Sequence, residues 1–148
     1  MTKQNYIRPL DLKHGRVDMN HGAGGRASMQ LIDELFARAF DNEWLRQGND
    51  GALLELPAAP EGQRLVMATD GHVISPIFFP GGDIGRISVS GTVNDLAMMG
   101  ATEPLALTCA VILEEGFPRA DLVRVRDSLK ATALEAGAPF VTGDTKVM

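Results

Sequence analysis

The stretch that begins at Leu105 constrains the fold more than any other part of the sequence. The run Leu105–Leu113 is apolar and contains Thr, Val and Ile, which is typical of a central strand. Pro118 suits the first turn of the helix that follows, and Gly137 is placed to end it. A last strand begins at Phe140. One face of the helix between these strands is apolar: Leu122, Val125, Leu129 and Ala133.

Two further helices are predicted upstream. The first follows a glycine-rich hinge and fades between Asn42 and Gly48; its apolar residues recur at helical spacing. They are Met29, Ile32, Leu35, Phe36, Ala39 and Phe40. The second follows the loop of residues 78–83, opens near Ile84 and ends at Gly100.

Two short apolar runs, Ala52–Leu56 and Arg64–Thr69, predict a pair of strands across a loop rich in Pro and Gly. Residues 1–20 have no sustained period and are expected to form a flexible leader or an edge segment. Strands therefore alternate with helices over residues 21–148, and this order predicts an α/β (α+β) domain with helices packed on one face of a mixed sheet.

The composition excludes several classes of protein. Apolar residues make up 45% and charged residues 22% of the 148 residues, which is typical of soluble globular proteins. A net charge of −5 provides no basic field for nucleic acid or an anionic membrane. The single cysteine, Cys109, permits neither an intrachain disulfide nor a cysteine-based zinc site. With no apolar run of transmembrane length, a cytoplasmic protein is expected.

Four aspartates stand in positions where carboxylates can serve a cation. Asp50 lies in a turn, Asp70 and Asp144 follow apolar strands, and Asp95 lies in the predicted second helix. Carboxylates that converge at one end of a sheet repel each other unless a hard cation binds them, and Mg²⁺ with substrate phosphates is a common solution. Each aspartate also has an ordinary interpretation, as a turn residue, a helix cap or a solvated helix face.

A glycine loop and a lysine are the candidate phosphate ligands. Gly22, Gly24 and Gly25 precede the first helix, where backbone amides can surround phosphate oxygens. Lys146 is a cation that can offset phosphate charge, and His21 could help to neutralise a phosphate. A plain hinge and an exposed lysine are the alternatives.

In combination, these stretches resemble the N-terminal domain of the HypE family of hydrogenase maturation proteins. The resemblance runs from residue 21 to residue 147 and contains long uninterrupted matches. The matching stretches are HGAGGR (21–26), NDGALL (49–54), ATDGHVISPIFFPGGDIG (68–85), SGTVNDLAMMGATEP (90–104), ILEEGF (112–117) and VTGDTKV (141–147).

The resemblance implies a fold, a cofactor and site residues. The HypE family is grouped with aminoimidazole ribonucleotide synthetase, selenophosphate synthetase and thiamine-monophosphate kinase, which pair their sheets into a dimeric barrel and bind Mg-ATP between domains. It implies that the four aspartates surround Mg²⁺ and phosphates, that Thr92 and Asn94 lie beside the nucleotide, and that Lys146 and the glycine loop close on phosphates. Residues 21–148 would then be an N-terminal ATP-binding domain.

The resemblance also implies a reaction. In this family a carbamoyltransferase partner, the HypF type, places a carbamoyl group on a C-terminal cysteine. ATP then drives its dehydration to thiocyanate, whose cyanide becomes an iron ligand of nickel–iron hydrogenase with the help of maturation scaffold proteins. Cys109 lies in the wrong segment to be that cysteine, so the catalytic residues stay unassigned and a truncated, inactive chain is expected.

Two alternatives remain open at this stage. One is another enzyme of the same superfamily, such as thiamine-monophosphate kinase or selenophosphate synthetase. The other is a non-catalytic module that only dimerises or binds maturation partners.

Overall fold

The computed structural model describes residues 8–47 and 65–148. Its helices and strands alternate as predicted, which confirms the α/β class. Within these ranges the helices are α1 (Arg26–Leu31), α2 (Ile84–Met98) and α3 (Arg119–Glu135), and the strands are β1 (Phe78–Phe79), β2 (Gly82–Asp83), β3 (Leu107–Leu113) and β4 (Phe140–Val147). Two 3₁₀ turns occupy Met19–His21 and Leu45–Gln47, and a π-helical turn, Ile32–Ala37, directly extends α1.

Strands β3 and β4, which the sequence predicts on either side of α3, form a parallel pair. Leu107 lies opposite Phe140, and Leu113 lies opposite Val147. Parallel neighbours need a crossover connection, and α3 provides it. Strands β1 and β2 form a separate antiparallel hairpin directly before α2.

Helices α2 and α3 begin and end close to their predicted positions. The Asp83 side chain caps α2 by accepting a hydrogen bond from the Arg86 amide at 3.0 Å. Arg86 also joins the two helices through an ion pair with Glu135 at 3.1 Å. Gly100 and Gly137 follow the helix ends with φ values of 85° and 68°, as expected of helix-terminating glycines.

Two hydrophobic clusters form the core. The first joins α1 and its π-helical extension to the far ends of β3 and β4, and its buried members are Val17, Leu31, Leu35, Leu113, Leu122 and Val147. The second lies between α2, α3 and the start of the parallel pair, and its buried members are Val89, Leu107, Leu129, Ala133, Ala138 and Phe140. Cys109 is half-buried beside the second cluster, and desolvation raises the pKa of its thiol.

The segment that follows residue 64 differs from the prediction. Residues 65–74 contain no strand, and the side chains of Leu65 and Met67 are 59% and 86% exposed. An apolar run becomes a strand only where a neighbour accepts its backbone hydrogen bonds, and neither described sheet includes it. Its predicted partner, Ala52–Leu56, lies outside the described residues.

The described part of the predicted leader is packed. Val17, 1% exposed, donates its amide to the Phe117 carbonyl and accepts from the Gly116 amide. The Leu10 amide donates to the buried Glu34 carboxylate at 2.7 Å. Residues 8–20 therefore belong to the folded unit. The apolar pattern of the sequence does not reveal this, because backbone hydrogen bonds hold much of the segment. Within the described ranges, no helix has the length and apolarity needed to cross a membrane.

Candidate functional site

Asp70 and His72 lie together against the middle of α2. His72 Nε2 is 3.3 Å from Asp70 Oδ2. A Cβ atom on Gly91 would lie 2.8 Å from His72 Nε2 and 3.5 Å from Asp70 Oδ2. Any larger residue at position 91 would push this pair away. Glycine is a poor helix former, and this contact gives a packing reason for its presence inside α2. Sequence reasoning missed His72; its two-residue spacing from Asp70 was the available signal.

The other predicted residues of α2 follow Gly91 along the helix. Asp95 is one helical turn beyond Gly91, and residues four apart share a helix face. The side chain of Asp95 is exposed, as is that of Asn94. The Thr92 hydroxyl donates to the Ser88 carbonyl at 3.0 Å, and Thr92 lines a cavity.

That cavity lies between residues 65–77, α2, β3 and α3, and has a volume of about 1330 Å³. Its walls are mostly apolar, and Asp70, His72 and Thr92 contribute polar groups to its lining. A cavity with apolar walls and a few convergent polar groups is the usual form of a small-molecule site.

Asp144 and Lys146 form a second polar pair. Lys146 Nζ lies 3.2 Å from Asp144 Oδ2, and residues two apart share a face of β4. The hydrogen bond from Lys146, followed by that from the Thr145 amide, lowers the pKa of Asp144. Asp144 was expected to follow the strand, but β4 continues to Val147. The strand extends because Ala110 to Leu113 of β3 provide backbone partners for it.

The glycine loop reaches the end of β4 at Val147, the residue that follows Lys146. A Cβ atom on Gly22 would lie 2.6 Å from the Val147 amide nitrogen, so only glycine permits this approach. The structure therefore brings together the glycine loop and the strand that carries Lys146. The Gly22 amide donates to the Met19 carbonyl at 3.1 Å and the Gly24 amide to the Ser28 hydroxyl at 2.9 Å.

His21 is not available to a phosphate. It is buried, with Nε2 2.8 Å from an Arg119 guanidinium nitrogen and Nδ1 3.0 Å from Asp18 Oδ1. Because arginine only donates, Nε2 accepts and Nδ1 carries the proton that Asp18 accepts. The Asp18 amide lies 3.1 Å from Nδ1, but the protonated Nδ1 has no lone pair that could accept a hydrogen bond from it. The expectation that His21 offsets phosphate charge is wrong, because both ring nitrogens are engaged inside the protein.

The predicted acidic residues do not form one cluster in the part of the chain that the structure describes. Residues 8–47 and 65–148 contain no group of three or more His, Cys, Asp or Glu side chains placed to share a metal ion. Asp70 lies with His72 against Gly91 of α2, whereas Asp144 pairs with Lys146 on β4. Asp50 and its turn lie outside the described residues.

The α/β fold, the glycine loop before α1 and the positions of Asp70, Asp95 and Asp144 agree with a known family. Residues 48–148 match the N-terminal domain of AIR synthase related proteins, and the chain belongs to this family.

Within the family, the chain is similar to the hydrogenase maturation proteins named HypE. Carbamoyl dehydratase HypE of Cupriavidus necator is 64% identical over 147 residues, which are 99% of this chain and 41% of that protein. The crystal structure of a hydrogenase maturation protein HypE in complex with ATP superposes with a TM-score of 0.82 at 50% identity, covering 88% of this chain and 37% of that one. HypE in a HypE–HypF complex matches with a TM-score of 0.56 at 49% identity, over 80% of this chain and 36% of that one. The chain thus spans about 40% of the curated relatives' length.

Proposed function

We propose that the chain supplies the ATP-binding portion of a HypE-like carbamoyl dehydratase. The observation that carries the proposal is the close likeness to a HypE crystallised with ATP. The glycine loop next to the strand that bears Lys146 supports it from within this chain. The Gly22 and Gly24 amides, bonded to Met19 and Ser28, fix the shape of the loop, and Lys146 is a cation that can recognise phosphate.

The proposed reaction removes the elements of water from a protein S-carbamoyl group. The amide oxygen attacks the γ-phosphorus of ATP and ADP leaves. The C–O bond then breaks, phosphate departs with the oxygen, and the nitrogen loses two protons to give the thiocyanate. Phosphorylation is needed because the amide oxygen is otherwise a poor leaving group. Catalysis of such a transfer rests on positioning and on offsetting charge.

The donor set of this chain fits Mg²⁺, which prefers carboxylate oxygen together with substrate phosphate. Asp50, Asp70, Asp95 and Asp144 are its proposed ligands; the contact of Asp70 with α2 one turn before Asp95 supports two of them. The bound ion would offset charge on the transferring phosphoryl group. Thr92 and Asn94 are proposed to border the nucleotide.

Lys146 is proposed to contact a phosphate from the end of β4, with Gly22, Gly24 and Gly25 on the opposite side. Asp144 holds the ammonium group within 3.2 Å and so orients it. Since the pKa of Asp144 is lowered, this pairing is present at neutral pH and is lost only when acid protonates the carboxylate below its ordinary range.

Replacing Lys146 by Met is expected to weaken Mg-ATP binding about tenfold, because one charge-assisted contact with phosphate is lost. The affinity would be measured by titration calorimetry on the purified chain. Lys130→Met is the matched control, since Lys130 is an exposed lysine on α3 outside the proposed site. Equal affinities in both variants would remove Lys146 from the site.

The proposal includes a cytoplasmic location, a homodimer, a HypF-like carbamoyltransferase partner and hydrogenase maturation scaffold proteins. The crystal structure of a HypE–HypF complex supports the HypF-like partner. Large exposed apolar side chains support the homodimer: Ile112 on β3 is 64% exposed, Leu65 and Met67 are 59% and 86% exposed, and all three line the cavity. Such side chains are usually covered by a partner surface.

Sedimentation velocity at micromolar concentration is expected to give a dimer that places these apolar side chains in its interface. Ile112→Lys should then shift the chain toward monomer, because it puts an uncompensated charge into the interface. Lys130→Glu on α3 is the control for a change of charge alone. A parent chain that sediments as a stable monomer would contradict the predicted homodimer.

A further inference from the structure

The glycine loop is tied together from inside by one buried hydroxyl. Ser28, in the first turns of α1, is 5% exposed. Its Oγ accepts a hydrogen bond from the Gly24 amide at 2.9 Å and donates one to the Asn20 carbonyl at 3.0 Å. A hydroxyl can donate once and accept as well, so both bonds form at the same time. Ser28 therefore joins the chain before the loop to the loop itself.

The conformation of the loop makes this tie consequential. Gly24 takes φ of 75°, in the left-handed region, and no atom lies within 4 Å of where its Cβ would stand. Packing of neighbouring atoms at that position therefore does not hold Gly24 in this conformation. The hydrogen bond to Ser28 is the described contact that fixes the direction of the Gly24 amide.

The other end of the loop is fixed independently. Gly22 is pressed against the backbone of Val147 at the end of β4, and the buried His21 is held between Asp18 and Arg119. One end of the loop is thus anchored by strand packing and the other by a hydroxyl, without a contribution from any ligand. A preformed site binds more tightly because less ordering is required on binding.

We propose that Ser28 is a positioning residue, which presets the glycine loop for the phosphates of ATP without contacting them. The proposal rests on the proposed function, since it takes a nucleotide phosphate as the ligand of the loop. It assigns to Ser28 an effect on affinity and on loop order that its contribution to core packing alone would not produce.

Ser28→Ala tests the proposal, with Thr132→Val as the matched control. Thr132 is likewise 5% exposed and its hydroxyl donates to a helix carbonyl, that of Ser128, at 2.9 Å, but it lies on α3 away from the loop. Amide hydrogen exchange and Mg-ATP titration would be measured on the 148-residue chain and both variants. In Ser28→Ala, the Gly24 amide is expected to exchange about tenfold faster, since it loses its acceptor. The dissociation constant for Mg-ATP is expected to rise about fivefold, while Thr132→Val changes neither quantity.

The outcomes separate the two proposals. Unchanged Gly24 exchange in Ser28→Ala, or an affinity equal to that of Thr132→Val in a parent that binds Mg-ATP, overturns the positioning role alone. A parent chain that does not bind Mg-ATP overturns the proposed function, and the ligand assigned to the loop falls with it. Faster exchange together with weaker binding, seen only in Ser28→Ala, supports the positioning role.

Discussion

Replacing Asp70 or Asp95 by Asn, in a protein of full family length that carries this sequence, is expected to lower ATP turnover about a thousandfold or more. Asn is nearly the same size as Asp but lacks the charge that balances a divalent cation. Removing one metal ligand from a phosphoryl-transfer site costs several kcal/mol of transition-state stabilisation, and each 1.4 kcal/mol is about tenfold in rate. Turnover would be followed as release of ADP.

Two controls make this result specific. Asp127→Asn alters an exposed carboxylate on α3 that pairs with Arg126, outside the proposed site, and should leave turnover unchanged. Thermal unfolding of all variants should coincide, because Asp70 and Asp95 are exposed and their replacement disturbs no core contact. Normal turnover in both site variants would exclude these residues as metal ligands.

The 148-residue chain on its own is expected to bind Mg-ATP but to catalyse no dehydration. The relatives that carry the activity name are about 2.5 times as long, since this chain spans 41% of one of them. Phosphoryl transfer requires acceptor and phosphate to be held in line, and losing that positioning costs about 7–11 kcal/mol of the barrier. A loss of this size places the rate below detection.

The test supplies Mg-ATP and a carbamoyl donor with a HypF-type partner to the chain, and measures ADP and thiocyanate. The full-length Cupriavidus necator relative under the same conditions is the positive control, because it shows that the donor system works. Thiocyanate above background from the short chain would contradict the proposed division of labour between this segment and the rest of the protein.

Local sequence patterns predicted the part of the fold that depends on strong periodicity. Strand β3, helix α3 and helix α2 lie within a few residues of their predicted positions, because their apolar spacing and terminal glycines agree. The strand predicted over Arg64–Thr69 is absent from its described residues, since apolar character alone does not provide a hydrogen-bonding neighbour. The end of β4 was misplaced for the converse reason, because its partner strand continues beside it.

The candidate site was predictable only where its residues form local motifs. The glycine loop and Lys146 were found as separate motifs, and only the fold brings Gly22 to Val147, next to Lys146. His72 and Ser28 were missed because their partners, Gly91 in one case and Asn20 with Gly24 in the other, are identified by contact and not by residue type. That Asp50 and Asp144 belong to one metal site stays a prediction.

The π-helical turn Ile32–Ala37 constrains the length of its segment more strictly than a loop would. Leu31 and Leu35 pack in the first hydrophobic cluster, whereas Phe40 packs in the second and meets the Phe140 ring edge-on with centroids 4.8 Å apart. One segment thus serves two cores, and the wide turn sets the angle between its two faces. A single insertion or deletion between Leu35 and Phe40 would shift one of these residues out of its cluster, so this stretch should hold a constant length among functional variants while its surface residues change.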